Sequence, residues 1–162
     1  MTQLTGNERA KYVQNMFTRI AGRYDLMNRL MTGGQDIRWR KRVIELARMN
    51  DHASFLDLGT GTGTLARGFA LRGCHVTGID PSAQMLEQAK ELDQQAGVEV
   101  EYRVAKAEAT RLPDASFDIV TAGQCWHWFD RPTAAQEVKR ILKPGGTIII
   151  AHFDWLRSRG MS

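Results

Sequence analysis

The sequence has little cysteine and no long apolar run. Only Cys74 and Cys125 occur among 162 residues, without a CxxC or Cys/His spacing that suits zinc, so we expect free thiols and no structural metal. The longest apolar stretch is too short for a membrane span, and the opening MTQLTGNERA has neither the basic nor the apolar region of a secretory signal. These absences predict a cytoplasmic location.

The charge that is present is unevenly distributed. Residues 1–52 hold ten Lys and Arg against five Asp and Glu, whereas residues 53–162 hold twelve against thirteen. A basic segment can attract an acidic substrate, an anionic membrane surface or nucleic acid, but exposed helix faces are also often basic for solubility alone. Charge therefore leaves the partner open, including a peripheral membrane contact.

Hydrophobic spacing predicts helices in the first third of the chain. Apolar residues recur at helical intervals on either side of Gly22, which predicts two short amphipathic helices over residues 8–31. Asp36 can cap a third helix that extends to about Met49. The apolar stripe of this third helix would consist of Ile37, Val43, Ile44 and Leu46. We predict a helical segment over residues 1–52 and a core domain over residues 53–162.

From residue 53 onward, strand-like segments alternate with helical ones. Parallel strands need crossover connections, so this alternation predicts an α/β fold with a doubly wound, mainly parallel, Rossmann-like sheet of about five strands. The predicted strands are SFLDLG, HVTGID, VEVEYRVA, FDIVTAG and TIIIAHF, and the intervening helices are TLARGFALRG, SAQMLEQAKELDQQ and PTAAQEVKRIL. KPGG predicts a turn into the fifth strand.

Three glycines alternate with threonine directly after the first predicted strand, in DLGTGTG. The absence of Cβ atoms lets a backbone pass close to a ligand, although many tight turns also need glycine. Asp80 ends the second strand 17 residues after Gly63, where its carboxylate can accept hydrogen bonds from both hydroxyls of a ribose. Alternatively, Asp80 only caps the helix that begins near Ser82. A glycine turn paired with a strand-end acid favours ribose.

The glycine spacing also discriminates between nucleotides. Dinucleotide folds carry GxGxxG, whereas Gly59, Gly61 and Gly63 alternate strictly here, so NAD is disfavoured. The sequence contains no GxxxxGK[ST], which excludes a nucleoside-triphosphate P-loop of that type.

DLGTGTG, the strand-end Asp80, AEATRLP, SFDIVTA and LKPGG, in this order, resemble class I S-adenosylmethionine-dependent methyltransferases that act on small molecules. The resemblance covers roughly residues 53–153 and implies S-adenosyl-L-methionine as cofactor. It implies that the methionine part is lined by Asp57, Gly59, Thr60, Gly61 and Gly63, and that Asp80 and Pro81 hold the ribose. Glu108 and Ala109 would lie at the adenine; the alternative for Glu108 is a solvated loop carboxylate.

The N-terminal segment MFTRIAGRYDLMNRLMTGGQDIRWRKRVI is similar to the opening of ubiquinone and menaquinone C-methyltransferases. This second resemblance implies methyl transfer to a quinone-like or aromatic acceptor. It also implies that residues 1–52 form a helical cap or lid over the cofactor, with Tyr24 reaching the sulfonium or the substrate. Tyr24 could equally supply apolar area by packing on the sheet. The loop after the fourth strand, AGQCWHWFDRP, instead resembles that of generic small-molecule methyltransferases.

That loop leaves the carboxyl end of the fourth strand, where open α/β sheets bind their ligands. We predict that Gln124 touches the cofactor and that Trp126, His127 and Trp128 surround the positively charged sulfonium. His127 is the candidate general base, because an unperturbed imidazole titrates near neutrality, but it could also be a packing residue. Cys125 has no activating base nearby in sequence, so nucleophilic catalysis by this thiol is not expected.

The methyltransferase fold that the chain resembles continues with two further strands beyond the fifth. Without them TIII is an apolar edge, which natural sheets cover or pair, so we expect either a fragment of a longer protein or a homo-oligomer. Two other functions stay open: a cofactor-binding module without turnover and an NAD-dependent oxidoreductase. A nucleic-acid methyltransferase is disfavoured, because no (N/D)PP(Y/F) tetrapeptide follows the fourth strand.

Overall fold

The computed structural model describes residues 35–47 and 52–152, together with six positions in the first 19 residues. These six positions, residues 8, 11, 12, 15, 16 and 19, have helical backbone, and they fall within the segment where helix is predicted. The remainder of the predicted helices over residues 8–31, including Tyr24, lies outside the described residues.

Helices and strands alternate along the described chain. A helix follows each of the first two β-strands, and another helix connects the last two strands. The elements are α1 (Gln35–Leu46), β1 (Ser54–Leu58), α2 (Thr64–Ala70), β2 (His75–Asp80), α3 (Ala83–Ala96), β3 (Glu101–Val104), β4 (Phe117–Gly123), α4 (Arg131–Ile141) and β5 (Leu142–Ala151), with a short 3₁₀ turn at Trp126–Trp128.

The five strands form one sheet in the order β3-β2-β1-β4-β5, and every neighbouring pair is parallel. This confirms the predicted doubly wound sheet. The strand order reverses between β1 and β4, and Leu58 lies opposite both Ile79 and Ala122. Because the strands are parallel and in register, the loops that follow β1, β2 and β4 meet at one edge, where such folds bind ligands.

Successive residues of β1 bury opposite faces of the sheet. Phe55 packs with Phe69 of α2 at a ring-centroid distance of 3.7 Å, in a cluster that also includes Val43 of α1. Leu56 packs on the other face, in a cluster that includes Val138 of α4. Burial on both faces explains the nearly continuous apolar character of the central strands, which is typical of parallel sheets.

The first helix differs from its prediction in detail. It spans Gln35–Leu46 and so ends before Met49. Val43 is buried, but Ile37 is 53% exposed and Trp39 takes its place in the packed face. Trp39 and Val43 are four residues apart and share one side of the helix, whereas a residue two positions before Trp39 points away from that side.

Two strands also have different limits from those predicted. β3 begins at Glu101 rather than Val98, and pairing with β2 runs only from Glu101 to Val104. β5 begins at Leu142, but its register with β4 shifts before Thr147, so KPGG loops out of the ladder, with Gly145 at φ 80°. The predicted turn is therefore a bulge at the start of the strand.

β5 lies at one edge of the sheet as far as the chain is described, with Ile150 45% exposed. Within the described ranges, no helix has both the length and the apolar character needed to cross a membrane.

Candidate functional site

The glycine loop connects β1 to α2 in a left-handed backbone. Gly59, Gly61 and Gly63 have φ angles of 60°, 58° and 77°, a region that favours glycine. The Thr60 amide donates to the Ile79 carbonyl at 2.9 Å, and the Gly63 amide donates to the Thr60 carbonyl at 2.9 Å. The first bond fastens the loop to the end of β2, and the second closes a turn within the loop.

The three glycines have different surroundings. A Cβ atom at Gly59 would lie 3.0 Å from Cys125 Sγ, and one at Gly63 would overlap the Tyr102 hydroxyl. At Gly61 the nearest atom would be the Met85 methyl at 3.4 Å, which is an ordinary contact. Packing inside the protein therefore requires glycine at two of the positions, and Gly61 has the least obstructed backbone.

Asp80 joins the glycine loop to the start of α3. Its Oδ2 accepts a hydrogen bond from the Gly61 amide at 3.0 Å, and its Oδ1 accepts one from the Ser82 amide at 2.9 Å. The N-cap of α3 is Ser82, whose hydroxyl accepts from the Met85 amide at 3.3 Å. Asp80 is thus not merely a helix cap. Each carboxylate oxygen has a second lone pair, so two further acceptor positions exist on Asp80.

Asp57 lies under the loop, almost completely buried. Thr121 Oγ1 donates a hydrogen bond to its Oδ1 at 2.7 Å. Burial raises the pKa of Asp57 to about 6. The hydrogen bond from Thr121 and the nearby Thr60 hydroxyl oppose this rise, and the charge of Asp80 adds to it. The guanidinium of Arg40 also favours the ionised form. Helix α1 therefore brings a cation to the site, which the sequence analysis did not identify.

The loop after β4 begins with an uncommon backbone. Gln124 has φ 60°, and its amide donates to the Ala151 carbonyl of β5 at 2.8 Å. Cys125 Sγ donates to the Leu58 carbonyl at 3.2 Å. Burial raises the pKa of the Cys125 thiol well above its ordinary value, with smaller contributions from Asp57 and Asp80. A thiol held in its protonated form is a poor nucleophile, which agrees with the expectation from sequence.

The aromatic residues of this loop divide into two groups. Trp126 is half-buried and packs edge-on against Phe129 at 5.8 Å between ring centroids, and Phe129 reaches within 3.6 Å of the Cβ position of Gly59. His127 and Trp128 are exposed, with their rings 4.7 Å apart, and His152 after β5 lies 5.3 Å from His127. Phe129, not the predicted His127 or Trp128, thus packs beside the glycine loop.

The remaining predicted residues lie on the flanks. Glu108 is half-buried and its Oε1 accepts a hydrogen bond from the Asp130 amide at 2.8 Å, so this carboxylate is tied to the start of α4. The Ala109 amide donates to the Lys106 carbonyl at 3.1 Å. Pro81 is exposed next to Asp80.

Sequence reasoning missed Trp39, Arg40, Phe129 and His152. Trp39 packs within 2.9 Å of the Cβ position of Gly123, at the carboxyl end of β4. A helical projection of QDIRWRKRV would have placed Trp39 with Val43. No local signal in the sequence indicates that Phe129 contacts a glycine seventy positions earlier.

A parallel, doubly wound sheet with a glycine turn and a strand-end carboxylate at its ligand-binding edge defines a Rossmann-like nucleotide-binding fold. The family model described as a methyltransferase domain matches residues 56–150. The chain belongs to this methyltransferase-domain family.

Individual relatives extend the comparison. Demethylmenaquinone methyltransferase of Thermus thermophilus is 41% identical over 141 residues, which are 85% of this chain and 64% of the relative. The chain thus spans somewhat less than two thirds of the length of this curated relative.

Solved structures are similar as well. Haemonchus contortus phosphoethanolamine N-methyltransferase 2 in complex with S-adenosyl-L-methionine superposes with a TM-score of 0.64 at 30% identity, over 70% of this chain and 27% of that one. The [4+2]-cyclase SpnF superposes with a TM-score of 0.66 at 29% identity, over 70% and 43%.

The raised pKa of Asp57 predicts a stability change with pH. The folded state keeps the Asp57 proton up to about pH 6, whereas the unfolded state loses it near the ordinary pKa of 3.8. The free energy of unfolding therefore falls as pH rises from about 4 to about 6. The free energy of unfolding of Asp57→Asn, relative to wild type, should increase by roughly 2–3 kcal/mol between about pH 4 and pH 7. Urea unfolding at a series of pH values measures this difference.

Asp118→Asn is the matched control, because the Ser54 amide lowers the pKa of Asp118. Its stability relative to wild type should decrease as pH rises, and mainly below about pH 4, where the unfolded state loses the proton later than the folded state. A relative stability of Asp57→Asn that is independent of pH would contradict the assignment.

Proposed function

We propose that this chain binds S-adenosyl-L-methionine at the glycine loop and transfers its methyl group to a small, quinone-like acceptor. The observation that carries this proposal is the Asp80 carboxylate, bonded to the amides of Gly61 and Ser82. Each carboxylate oxygen keeps a second acceptor position, which a ribose hydroxyl would occupy beside Gly61, the least obstructed backbone of the loop. Membership of the methyltransferase-domain family supports the same ligand.

The residues present fit this cofactor. Asp80 would accept hydrogen bonds from the ribose hydroxyls, Gly61 would let the chain pass close to the ligand, and the ionised form of Asp57 would attract the ammonium of the amino-acid tail. Glu108 has a second oxygen for the adenine amino group, and Phe129 and Trp126 supply aromatic surface that suits a sulfonium. Gln124 would also contact the cofactor.

When bound, S-adenosyl-L-methionine supplies an electrophilic methyl: the acceptor's electron pair forms the new bond, the methyl–sulfur pair stays on sulfur, and an acceptor proton leaves to a base. Orientation of the acceptor can account for about 7–11 kcal/mol of such a barrier, and a general base for a further ~10²–10⁴-fold. The chain's main task is therefore to position the acceptor and exclude water. His127 is the proposed base, with His152 beside it.

The acceptor class is inferred from the relatives. A demethylmenaquinone methyltransferase at 41% identity supports a reduced quinone ring, whose electron-rich carbon can attack a methyl group. Tyr24, which lies outside the described residues, stays a proposed contact to the acceptor or the sulfonium.

The ribose contact is tested by calorimetric titration with two ligands, S-adenosylhomocysteine and its analogue without the ribose hydroxyls. Wild type should bind the analogue about 10- to 100-fold more weakly, because two hydrogen bonds to a carboxylate are lost. Asp80→Asn should bind S-adenosylhomocysteine at least about tenfold more weakly and discriminate less between the two ligands. Glu91→Gln, an exposed carboxylate change on α3, is the control. Equal discrimination by Asp80→Asn and wild type would remove Asp80 from the ribose site.

The base is tested with a reduced demethylated naphthoquinone as acceptor. His127→Asn should lower kcat by about 10²-fold or more, with the affinity for S-adenosylhomocysteine unchanged, because a base acts on the acceptor and not on the cofactor. His75→Asn is the control, since His75 is exposed at the amino end of β2. Full activity of His127→Asn would reject the assignment.

A cofactor-binding fold without methyl transfer is the second candidate. The observation that favours it is the similarity to a structure named as a [4+2]-cyclase, since one fold can carry different chemistry. Binding of S-adenosylhomocysteine without methyl transfer to phenols, quinols or carboxylates would support this candidate over the first.

We also propose that a second copy of the chain covers the edge of β5, whose Ile150 is 45% exposed. Strand pairing would satisfy the edge amides and bury this apolar residue. The expected results are a dimer by light scattering and slow hydrogen exchange at the amides of residues 147–151. A monomer with the same protection would contradict pairing between copies.

A further inference from the structure

A buried charged network lies beneath the glycine loop, separate from the residues assigned to the cofactor. Arg67 of α2 and Asp93 of α3 form an ion pair with 2.7 Å between Nε and Oδ1, and their side chains are 13% and 5% exposed. Tyr102 of β3 lies beside the Asp93 carboxylate. Three elements therefore meet through polar groups that the methyl-transfer proposal does not use.

Arg67 extends from this ion pair to the glycine loop itself. Its Nη2 donates to the Thr62 carbonyl at 2.8 Å and to the Ala89 carbonyl at 3.2 Å. Thr62 stands between Gly61 and Gly63, so one guanidinium links the loop to α3. A planar group with several donors can make these contacts together, which a lysine ammonium on a flexible stem cannot reproduce.

Tyr102 fills the space that two glycines leave. Its ring would lie 2.8 Å from a Cβ atom at Gly78, and its hydroxyl occupies the side-chain position of Gly63. Burial, and next the Asp93 carboxylate, raise the pKa of Tyr102, so the hydroxyl remains protonated. The ring thus supports the loop from below and also explains why residue 63 must lack a side chain.

Stability alone does not account for this network. Replacing a buried ion pair with apolar residues of similar volume is often neutral or stabilising. In the described part of the chain, Arg67 Nε, both Asp93 oxygens and the Tyr102 hydroxyl have no well-aligned hydrogen bonds, although the ion pair is short. Apolar residues at these positions would lack the charged donor that Arg67 provides to the Thr62 carbonyl.

We propose that Arg67, Asp93 and Tyr102 are positioning residues that hold the glycine loop in its cofactor-binding conformation. Asp93 orients the guanidinium, Arg67 fixes the Thr62 carbonyl, and Tyr102 holds Gly63 in place, so that the Gly61 amide stays on Asp80. The effect on cofactor affinity rests on the proposed function, whereas the effect on loop conformation does not.

The test variant replaces the whole network with apolar side chains, in R67M/D93L/Y102F. It should fold with a melting temperature equal to or above that of wild type, since no buried charge is left unpaired. Its affinity for S-adenosylhomocysteine should fall about tenfold or more, as expected for loss of one charged hydrogen bond at the loop. In the ligand-free protein the Gly61 amide, which donates to Asp80, should exchange with solvent faster than in wild type.

Arg67→Lys is the second variant, because it keeps a positive charge beside Asp93 without the planar fork. It should fold but melt at a lower temperature, because buried carbonyls lose their donors. It should also bind S-adenosylhomocysteine more weakly, with faster exchange at the Gly61 amide. R103M is the control: Arg103 lies on the same strand as Tyr102 but is 49% exposed and pairs with Glu101. It should change neither measurement.

Unchanged exchange at the Gly61 amide and unchanged affinity in the folded variants would overturn the proposal and leave a structural network only. If wild type itself does not bind S-adenosylhomocysteine, the proposed function fails, but the loop amides of the ligand-free variants still decide the positioning role. If the triple variant does not fold, Arg67→Lys decides by the same two measurements.

Discussion

The site depends on one carboxylate that accepts two backbone amides. Asp80, at the end of β2, bonds to Gly61 in the loop after β1 and to Ser82 at the start of α3. These hydrogen bonds join three segments, which meet only because the strands are parallel and in register. Burial raises the pKa of Asp80 above its ordinary value, and the hydrogen bonds from the Ser82 and Gly61 amides partly oppose this rise.

Local patterns in the sequence were sufficient for much of this architecture. Alternating apolar segments, turn residues and the DLGTGTG loop predicted the five parallel strands and the positions of Gly61 and Asp80, because each signal spans only a few residues. What could not be predicted is pairing between distant residues. The contact of Cys125 with Gly59 and the ion pair of Arg67 with Asp93 depend on how the elements pack together. The exposed side chain of Ile37 shows that apolar spacing alone does not select the buried face of a helix.

Glycine residues that look equivalent in the sequence have different tasks in the fold. Gly59 and Gly63 accommodate Cys125 and Tyr102, while Gly61 has only the Met85 methyl within ordinary contact. The strict alternation in DLGTGTG thus combines two packing constraints with one open backbone position. This division also explains why the spacing differs from the dinucleotide fingerprint, in which the third glycine permits a close helix–strand approach.

The hydrogen bond from the Gln124 amide to the Ala151 carbonyl joins the loop of aromatic residues to the outermost strand. End strands fray more readily than central ones, because fewer contacts must break for them to open. Fraying at the end of β5 would release Gln124 from its left-handed turn and loosen Cys125 and Phe129 over the first glycine. The end of β5 thus constrains the aromatic loop through one backbone hydrogen bond.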